Sequence, residues 1–229
     1  MKILLLGYGR MGRAIEGVAV GRGHDIVGRI GRDEPVAEQL WRAADVAIEF
    51  THPRSAPQRI SECFSHKLPV VCGTTGWPDA LQTQKARSAQ GGHKLLWSPN
   101  FSVGVHAMLK AVAAAAEVLG RDPDYNASIE EVHHTGKRDA PSGTAIAVAD
   151  RLKLYGKSFI NVPIHSIRKD EVFGNHELEF RGPCDTLRII HSATSRAGFS
   201  HGAVRAAEWL NAYNGPVDRT FGMDDFCTT

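Results

Sequence analysis

The chain is short of the features that mark several large protein classes. Only four cysteines are present, at 63, 72, 184 and 227. None forms a Cys-x-x-Cys pair or a tight cluster, which argues against a zinc knuckle or a disulfide framework. Long apolar runs are missing as well. The opening MKILLLG stops at a glycine well before the length of a signal-peptide core or a membrane span, so it reads as a buried strand. Blocks of one charge sign are also absent. The 27 basic and 25 acidic residues are interspersed and leave a formal net charge of +2, which signals neither a nucleic-acid surface nor a polybasic membrane patch. With 229 residues, 42% of them hydrophobic, disorder is excluded, and one large or two modest domains with a proper core are expected. A reducing cytoplasm is the expected home, and the composition leaves a small charged ligand open.

What is present is a regular alternation. Over the first hundred residues, short β-rich runs at Lys2–Leu6, Asp25–Ile30, Val46–Phe50, Leu68–Cys72 and Leu95–Trp97 alternate with helix-like segments. Such alternation builds βαβ units, and near-continuous apolar strands are those covered on both faces. The fold class expected is α/β, a Rossmann-type doubly wound parallel sheet. Beyond Asn100 the texture changes. An Ala-rich amphipathic stretch at Val105–Leu119 leads to a strand around Asn126–His134 and a helix near Thr144–Leu154. Alternating strands follow near His176–Phe180 and Leu187–His191, then a closing helix at Gly202–Tyr213. Alternation of that kind implies a sheet with one wet or partner-facing side. The expected division is a dinucleotide-binding domain over 1–104, completed by about 205–229. A second α+β domain on a mixed open sheet then spans 105–204.

GYGRMG places glycines at 7, 9 and 12, directly after an apolar strand and directly before a helical pattern. This is the context in which GxGxxG binds a dinucleotide. Gly7 permits the turn, Gly9 lets a pyrophosphate approach the backbone, and Gly12 lets helix and strand pack closely. NAD-preferring folds carry an acid at the end of the second strand. Here DIVGRIGRDE puts Arg29 and Arg32 in that region, with Asp33 and Glu34 just beyond. Guanidinium groups match a 2′-phosphate in charge and geometry, so the cofactor expected is NADPH and/or NADH, leaning to NADPH. Two further turns, VVCGTTGW and LLWSPNFSVGV, follow sheet strands at the edge where such folds bind ligands. Gly73, Thr74 and Thr75 are placed to offer backbone approach and hydroxyl contacts.

Between Glu130 and Asp150 the chain reads EEVHHTGKRDAPSGTAIAVAD. A strand end, a solvated loop and a helix begun near proline would account for it as plain architecture, with Asp139 as the cap. The combination of groups points further. Adjacent strand residues face opposite ways, so His133 and His134 serve one point only if the strand ends there. Lys137 then adds a cation, and Ser142, Gly143 and Thr144 form a helix start suited to an anion. Two electropositive elements suit a ligand with two carboxylates, and a nearby imidazole is a proton donor. Glu130, Glu131, His133 and His134 lack any standard metal-ligand spacing, and strand periodicity scatters them, so no metal is expected.

The stretch EEVHHTGKRDAPSGTA resembles the signature of the 4-hydroxy-tetrahydrodipicolinate reductase family, also called dihydrodipicolinate reductase, at every fixed position. The resemblance extends through GYGRMGR, EFT at 49–51, GTTG at 73–76, SPNFSVG at 98–104 and HSATSRAGFSHGAVRAAEWL at 191–210. It departs from the family at Glu49, where Asp is usual, and in lacking the ribose-reading acid. The resemblance implies NAD(P)H-dependent reduction of 4-hydroxy-tetrahydrodipicolinate to tetrahydrodipicolinate, in the diaminopimelate route to lysine. It implies His133 as general acid and Lys137 as a second donor or electrostatic partner. His134, Lys137, Ser142, Gly143 and Thr144 would hold the carboxylates. Gly7, Tyr8, Gly9, Arg10, Met11, Gly12, Arg32, Gly73, Thr74, Thr75, Ser98, Pro99, Asn100 and Phe101 would line the cofactor. It further implies a cytoplasmic homotetramer joined through the second domain. Two other readings compete: a different two-domain amino-acid or aldehyde dehydrogenase, which would have no need of the His-His-x-x-Lys and PSGT elements, and a silent dinucleotide sensor, which would show a broken site.

Overall fold

The structure, a computed structural model, describes residues 1–195 and 197–228. It divides into two units, Met1–Val103 with Ala197–Thr229, and Gly104–Arg196.

In the first unit, strands β1 (Lys2–Leu6), β2 (Asp25–Ile30), β3 (Val46–Glu49), β4 (Val70–Cys72) and β5 (Leu95–Trp97) form one parallel sheet in the order β2-β1-β3-β4-β5. The apolar run of β1 explains why the sheet is covered on both sides. Ile3 and Leu5 point into a cluster with Ile15 and Ala19 of α1 (Arg10–Gly21) and with Ala203, Ala207 and Leu210 of α7 (Ala197–Ala212). Leu4 and Leu6 point the other way, to Trp41 of α2 (Glu38–Ala43), Ile60 and Phe64 of α3 (Ala56–Ser65) and Leu81 of α4 (Pro78–Gly91). All four β1 side chains are buried, each stabilising the fold by about 2 kcal/mol. Beyond β5 the returning chain adds one rung, with Trp97 N–H to Phe221 O at 3.0 Å and Phe221 N–H to Leu95 O at 2.9 Å. A short helix α8 (Met223–Thr228) ends the unit. The strand order reverses between β1 and β3, which makes their carboxyl ends the switch point where such sheets bind ligands.

The second unit packs α5 (Val103–Leu119) and α6 (Gly143–Leu152) on one face of a four-stranded sheet, ordered β7-β6-β8-β9. Its strands are β6 (Asn126–His133), β7 (Ile164–Arg168), β8 (Asn175–Arg181) and β9 (Thr186–Ser192). β6 pairs with β7 in parallel, and with β8 antiparallel; β8 and β9 are antiparallel. The sheet is therefore mixed. Ile129, Leu178 and Phe180 face Met108, Val112, Val148 and Leu152 of the helices. The opposite face carries exposed Ile167 and Ile190.

Two boundaries differ from the sequence reading. A domain limit at 204/205 falls inside α7, which runs unbroken from Ala197, so the return to the first unit begins at that helix start. The helix expected from Gly202 begins earlier, at Ala197, where buried Ser200 donates its hydroxyl to the Ala197 carbonyl at 3.0 Å. β7 is the strand the reading passes over; IHSIR is short, polar and largely exposed, and only its parallel rungs to β6 define it. Among the described residues no helix is long and apolar enough to cross a membrane.

Candidate active site

The glycine loop makes a tight turn that only glycine permits. Gly7 adopts φ +99°, and a Cβ there would lie 2.1 Å from the Phe50 carbonyl oxygen; at Gly12 a Cβ would meet the Gly7 oxygen at 2.2 Å. A Cβ on Gly9, by contrast, would meet nothing within 4 Å, so the approach to the α1 N-terminus is open. No acidic side chain stands in the first turn of α1, and Gly9 is its N-cap. Unpaired N–H groups and the helix dipole at that point favour an anion. Arg10 and Gly9 are exposed, while Tyr8 and Met11 are half-buried. These features fit a dinucleotide pyrophosphate.

The two candidate arginines part company. Arg29 is spent on Glu16, with Nε to Oε1 at 2.8 Å, and Tyr8 Oη donates to the same carboxylate. Arg32 instead is exposed and lines a cavity of about 500 Å³ together with Arg54, Ser55 and Arg59.

The turns after β3 and β4 are organised by a residue the sequence reading notes only as a departure. Glu49, fully buried, accepts at Oε1 from Thr51 N at 2.8 Å and from Thr74 Oγ1 at 3.1 Å, and at Oε2 from Cys72 Sγ at 2.9 Å. The Thr74 carbonyl in turn accepts from Trp77 Nε1 at 2.7 Å and Trp97 Nε1 at 3.1 Å. Thr74 is therefore buried and bonded inward, whereas Thr75 is exposed and Gly73 half-buried. In the next turn Ser98 Oγ closes on the Asn100 carbonyl at 2.6 Å. Pro99 is exposed, Asn100 half-buried, and Phe101 is a core residue packed near Phe50. The Phe101 side chain thus serves the fold, leaving only its backbone for a ligand.

In the second unit the apolar face of the sheet gives way, one row on, to ionisable groups. Ile129 stands opposite Leu178 and Leu178 opposite Ile189; the next inward row aligns Glu131, His176 and His191 across β6, β8 and β9. His133 follows at the end of β6, in register with Arg168 of β7. Glu131 and His133 are two apart and share a face, so strand periodicity joins this pair rather than scattering it. His133 Nδ1 is hydrogen-bonded to Glu131 Oε2, and Arg168 Nη2 donates to Glu131 Oε1 at 2.9 Å. The His133 and His176 rings meet edge-on at 5.0 Å.

His134 lies just past the strand, half-buried, and its carbonyl accepts from Lys137 N at 3.0 Å. Lys137 Nζ sits 2.9 Å from both carboxylate oxygens of Asp139. Asp139 is therefore the lysine's partner, and the α6 cap is Ser142, whose Oγ accepts from Ala145 N at 3.2 Å. Ser142 Oγ also contacts His176 Nε2 at 3.1 Å. Gly143 is exposed and Thr144 half-buried in the first turn of α6, which holds no acidic side chain.

Protonation follows from these contacts. Burial pushes Glu131 upward, yet hydrogen bonds from Arg168, Ser166 and His133 outweigh it and hold the carboxyl below its ordinary value. Burial lowers His133, and the Glu131 contact opposes that shift. His176 is pushed down to about 4, by burial first and by the neighbouring His133 and His191 next. Glu131, His133 and His176 hold ligand atoms within 4.8 Å of one another. The Arg168 guanidinium on Glu131 and the Glu131–His133 hydrogen bond nevertheless commit those donors to one another, which suits proton handling better than a cation. Arg168 and His176 are the members of this group that the sequence reading leaves out.

Comparison with known proteins places the whole chain. Residues 1–101 match the family model for the dihydrodipicolinate reductase N-terminus, and 104–227 match that for its C-terminus. The 4-hydroxy-tetrahydrodipicolinate reductase of Christiangramia forsetii is 38% identical over 225 residues, covering 94% of each chain. That of Staphylococcus aureus strain Newman is 36% identical over 240 residues, covering 94% of this chain and 97% of its own. A solved structure of dipicolinate-bound dihydrodipicolinate reductase from Paenisporosarcina sp. TG-14 covers 98% of both chains with a TM-score of 0.83; at 20% identity it shows a shared fold. With both halves matched in order and the relatives spanned nearly end to end, this chain belongs to the dihydrodipicolinate reductase family of NAD(P)H-dependent oxidoreductases.

Proposed function

We propose that the protein reduces 4-hydroxy-tetrahydrodipicolinate to tetrahydrodipicolinate, consuming NAD(P)H and a proton and releasing water, as a step towards diaminopimelate and lysine. Family membership supports the reaction. The observation that carries the site is the convergence on one end of the second unit's sheet of His133, the Lys137 loop and the uncapped-by-acid start of α6. The α6 N–H groups, with Thr144 and Ser142, bind one carboxylate, and Lys137 with His134 binds the other, Asp139 yielding its lysine contact to the ligand. A ring so clamped is oriented at both ends. Bound at the glycine loop, the nicotinamide cofactor supplies the hydride. His133 delivers the proton to the neighbouring carbon as charge develops there. Arg32, open on its cavity rim, reads a 2′-phosphate, which favours NADPH.

The test is oxidation of NADPH and NADH with freshly made substrate, in wild type, His133→Ala and Lys137→Ala. Wild type shows substrate-dependent oxidation, and His133→Ala loses roughly 10²- to 10⁴-fold in kcat. Lys137→Ala raises KM at least as strongly as it lowers kcat. Absence of substrate-dependent oxidation with either nicotinamide in wild type overturns the reading. The same reading carries a homotetramer, supported by exposed Ile167 and Ile190 on the uncovered sheet face; a monomeric mass in solution would remove that part.

A further inference from the structure

His133 is the last residue of β6, where a side chain has no following strand residue to hold it. What holds it is a chain of two contacts on the same sheet face. Glu131, two residues back and completely buried, receives His133 Nδ1 at one carboxylate oxygen and Arg168 Nη2 at the other, 2.9 Å away. Arg168 stands in register with His133 on β7. The same Nη2 also donates to the Asp139 carbonyl at 2.6 Å, and Asp139 carries Lys137 at 2.9 Å. One guanidinium therefore ties together the acid behind the imidazole and the loop that bears the ammonium group.

The other ring nitrogen, Nε2, faces Gly174. A Cβ on Gly174 would come within 2.9 Å of His133 Nε2, so a side chain at that position would cover it. With Nδ1 engaged by a carboxylate, the neutral ring carries its proton there, and Nε2 is the atom left to gain and lose one. Building on His133 as the proton donor, we propose that Glu131 and Arg168 form a positioning pair that fixes the His133 tautomer and aims Nε2 at the substrate, with Gly174 sparing that nitrogen a side-chain contact. Neither residue touches the substrate; both act through His133 and the Lys137 loop.

The groups facing His133 are Glu131 from its own strand, Arg168 from β7, His176 from β8 and Lys137 from the loop. Only Glu131 among them is anionic, so its loss leaves the imidazolium with cations and a neutral ring. In Glu131→Gln, kcat falls roughly 10²-fold with KM changed far less, and the alkaline limb of the kcat profile moves to lower pH. Glu131→Asp, which keeps the charge, returns part of kcat and moves the limb back. A residue that merely supported the sheet would change stability and leave that limb where it was.

Nitrogen-15 NMR of histidine-labelled wild type reads the tautomer with no substitution, so a variant that fails to fold does not end the test. Neutral His133 protonated at Nδ1 is the expected result, and protonation at Nε2 overturns the proposal. His133→Ala in the same assays separates the two layers. If it keeps the wild-type rate and pH profile, the assignment of His133 as donor is wrong, whatever Glu131 does. If His133→Ala is inactive while Glu131→Gln matches wild type in kcat, KM and pH profile, the positioning pair alone is wrong.

Discussion

Glu49 and Glu131 are both fully buried carboxylates near the carboxyl ends of strands, one in each unit of the chain. Their partners are of opposite kinds. Glu49 is surrounded by neutral donors, the Thr51 amide and hydroxyl, the Thr74 hydroxyl and the Cys72 thiol. Glu131 is bonded to a guanidinium and an imidazole. A carboxylate held by neutral donors fixes the shape of the turns around it, since no neighbour can change charge in response. A carboxylate held by ionisable groups transmits protonation. On the proposed function, the first unit uses its buried acid to shape the turns beside the glycine loop, and the second uses its acid to poise His133 as the proton donor.

The sharpest way to break this contrast is to remove the architectural acid. Glu49→Ala leaves the Thr51 and Thr74 hydroxyls and the Cys72 thiol without their acceptor, while the Thr51 amide keeps Thr74 Oγ1 at 3.0 Å. Donors left unpaired cost about 1 kcal/mol each, so a loss of about 3 kcal/mol is expected from denaturant unfolding. Glu49→Gln, which keeps an acceptor oxygen, loses less than half of that. An alanine variant within 1 kcal/mol of wild type would show that the turn holds itself.

Arg168→Met tests the other acid. It strips Glu131 of its cation and leaves a buried charge, with an expected loss of about 3 kcal/mol at pH 7, the low end for a broken buried pair because the arginine is 21% exposed. The pH dependence gives the sign. In wild type the Glu131 carboxyl titrates below its unfolded value, so its stabilisation is present above the unfolded pKa and lost as pH falls through the folded one. Without Arg168 the folded value rises, protonation relieves the variant sooner, and its deficit shrinks towards pH 4. A deficit that stays constant with pH would indicate lost packing instead.

A third effect belongs to the histidine row. His176 is 4% exposed and titrates near 4 in the folded chain, below the ordinary histidine value of about 6.5. The unfolded state therefore binds a proton that the native state refuses between those limits, and stability falls as pH drops through that window. Between pH 7 and pH 5 this amounts to about 2 kcal/mol. His176→Gln removes that part of the slope, whatever it costs in stability at pH 7. An unchanged slope would place the acid sensitivity elsewhere.

How much of this was legible in the sequence follows from which signals are local. The glycine loop, the parallel strands and the PSGT helix start are each written in consecutive residues, and so are His133 and Lys137. Arg168 is invisible because it lies on a short exposed strand, and only the parallel pairing of β7 with β6 brings it opposite His133. His176 is visible as an alternating strand residue but not as a neighbour of Ser142, since that contact joins residues 34 apart. Asp before Pro-Ser-Gly suits a helix cap, yet Ser142 takes that role and Asp139 answers to Lys137. Glu131 shares a face with His133 by simple strand periodicity. Grouping it with Glu130 and His134, which do not share that face, hid the pair.

The smallest effect expected concerns the arginines of the first unit, where the contrast between a charge used inside the protein and one left for a ligand recurs. Arg29 is bonded to Glu16, and that contact raises its pKa; Arg32 stands on the rim of the cavity beyond β2. A hydrogen bond from an exposed guanidinium to a 2′-phosphate is worth about 1.5 kcal/mol at low salt. Arg32→Ala therefore lowers kcat/KM for NADPH roughly 10-fold and leaves NADH nearly untouched, and added salt narrows the gap in wild type but not in the variant. Arg29→Ala frees Glu16 beside the glycine loop, so it weakens both nucleotides alike. Equal losses for NADPH and NADH in Arg32→Ala would mean that the guanidinium reads no phosphate, and that the two arginines differ in their partners but not in their task.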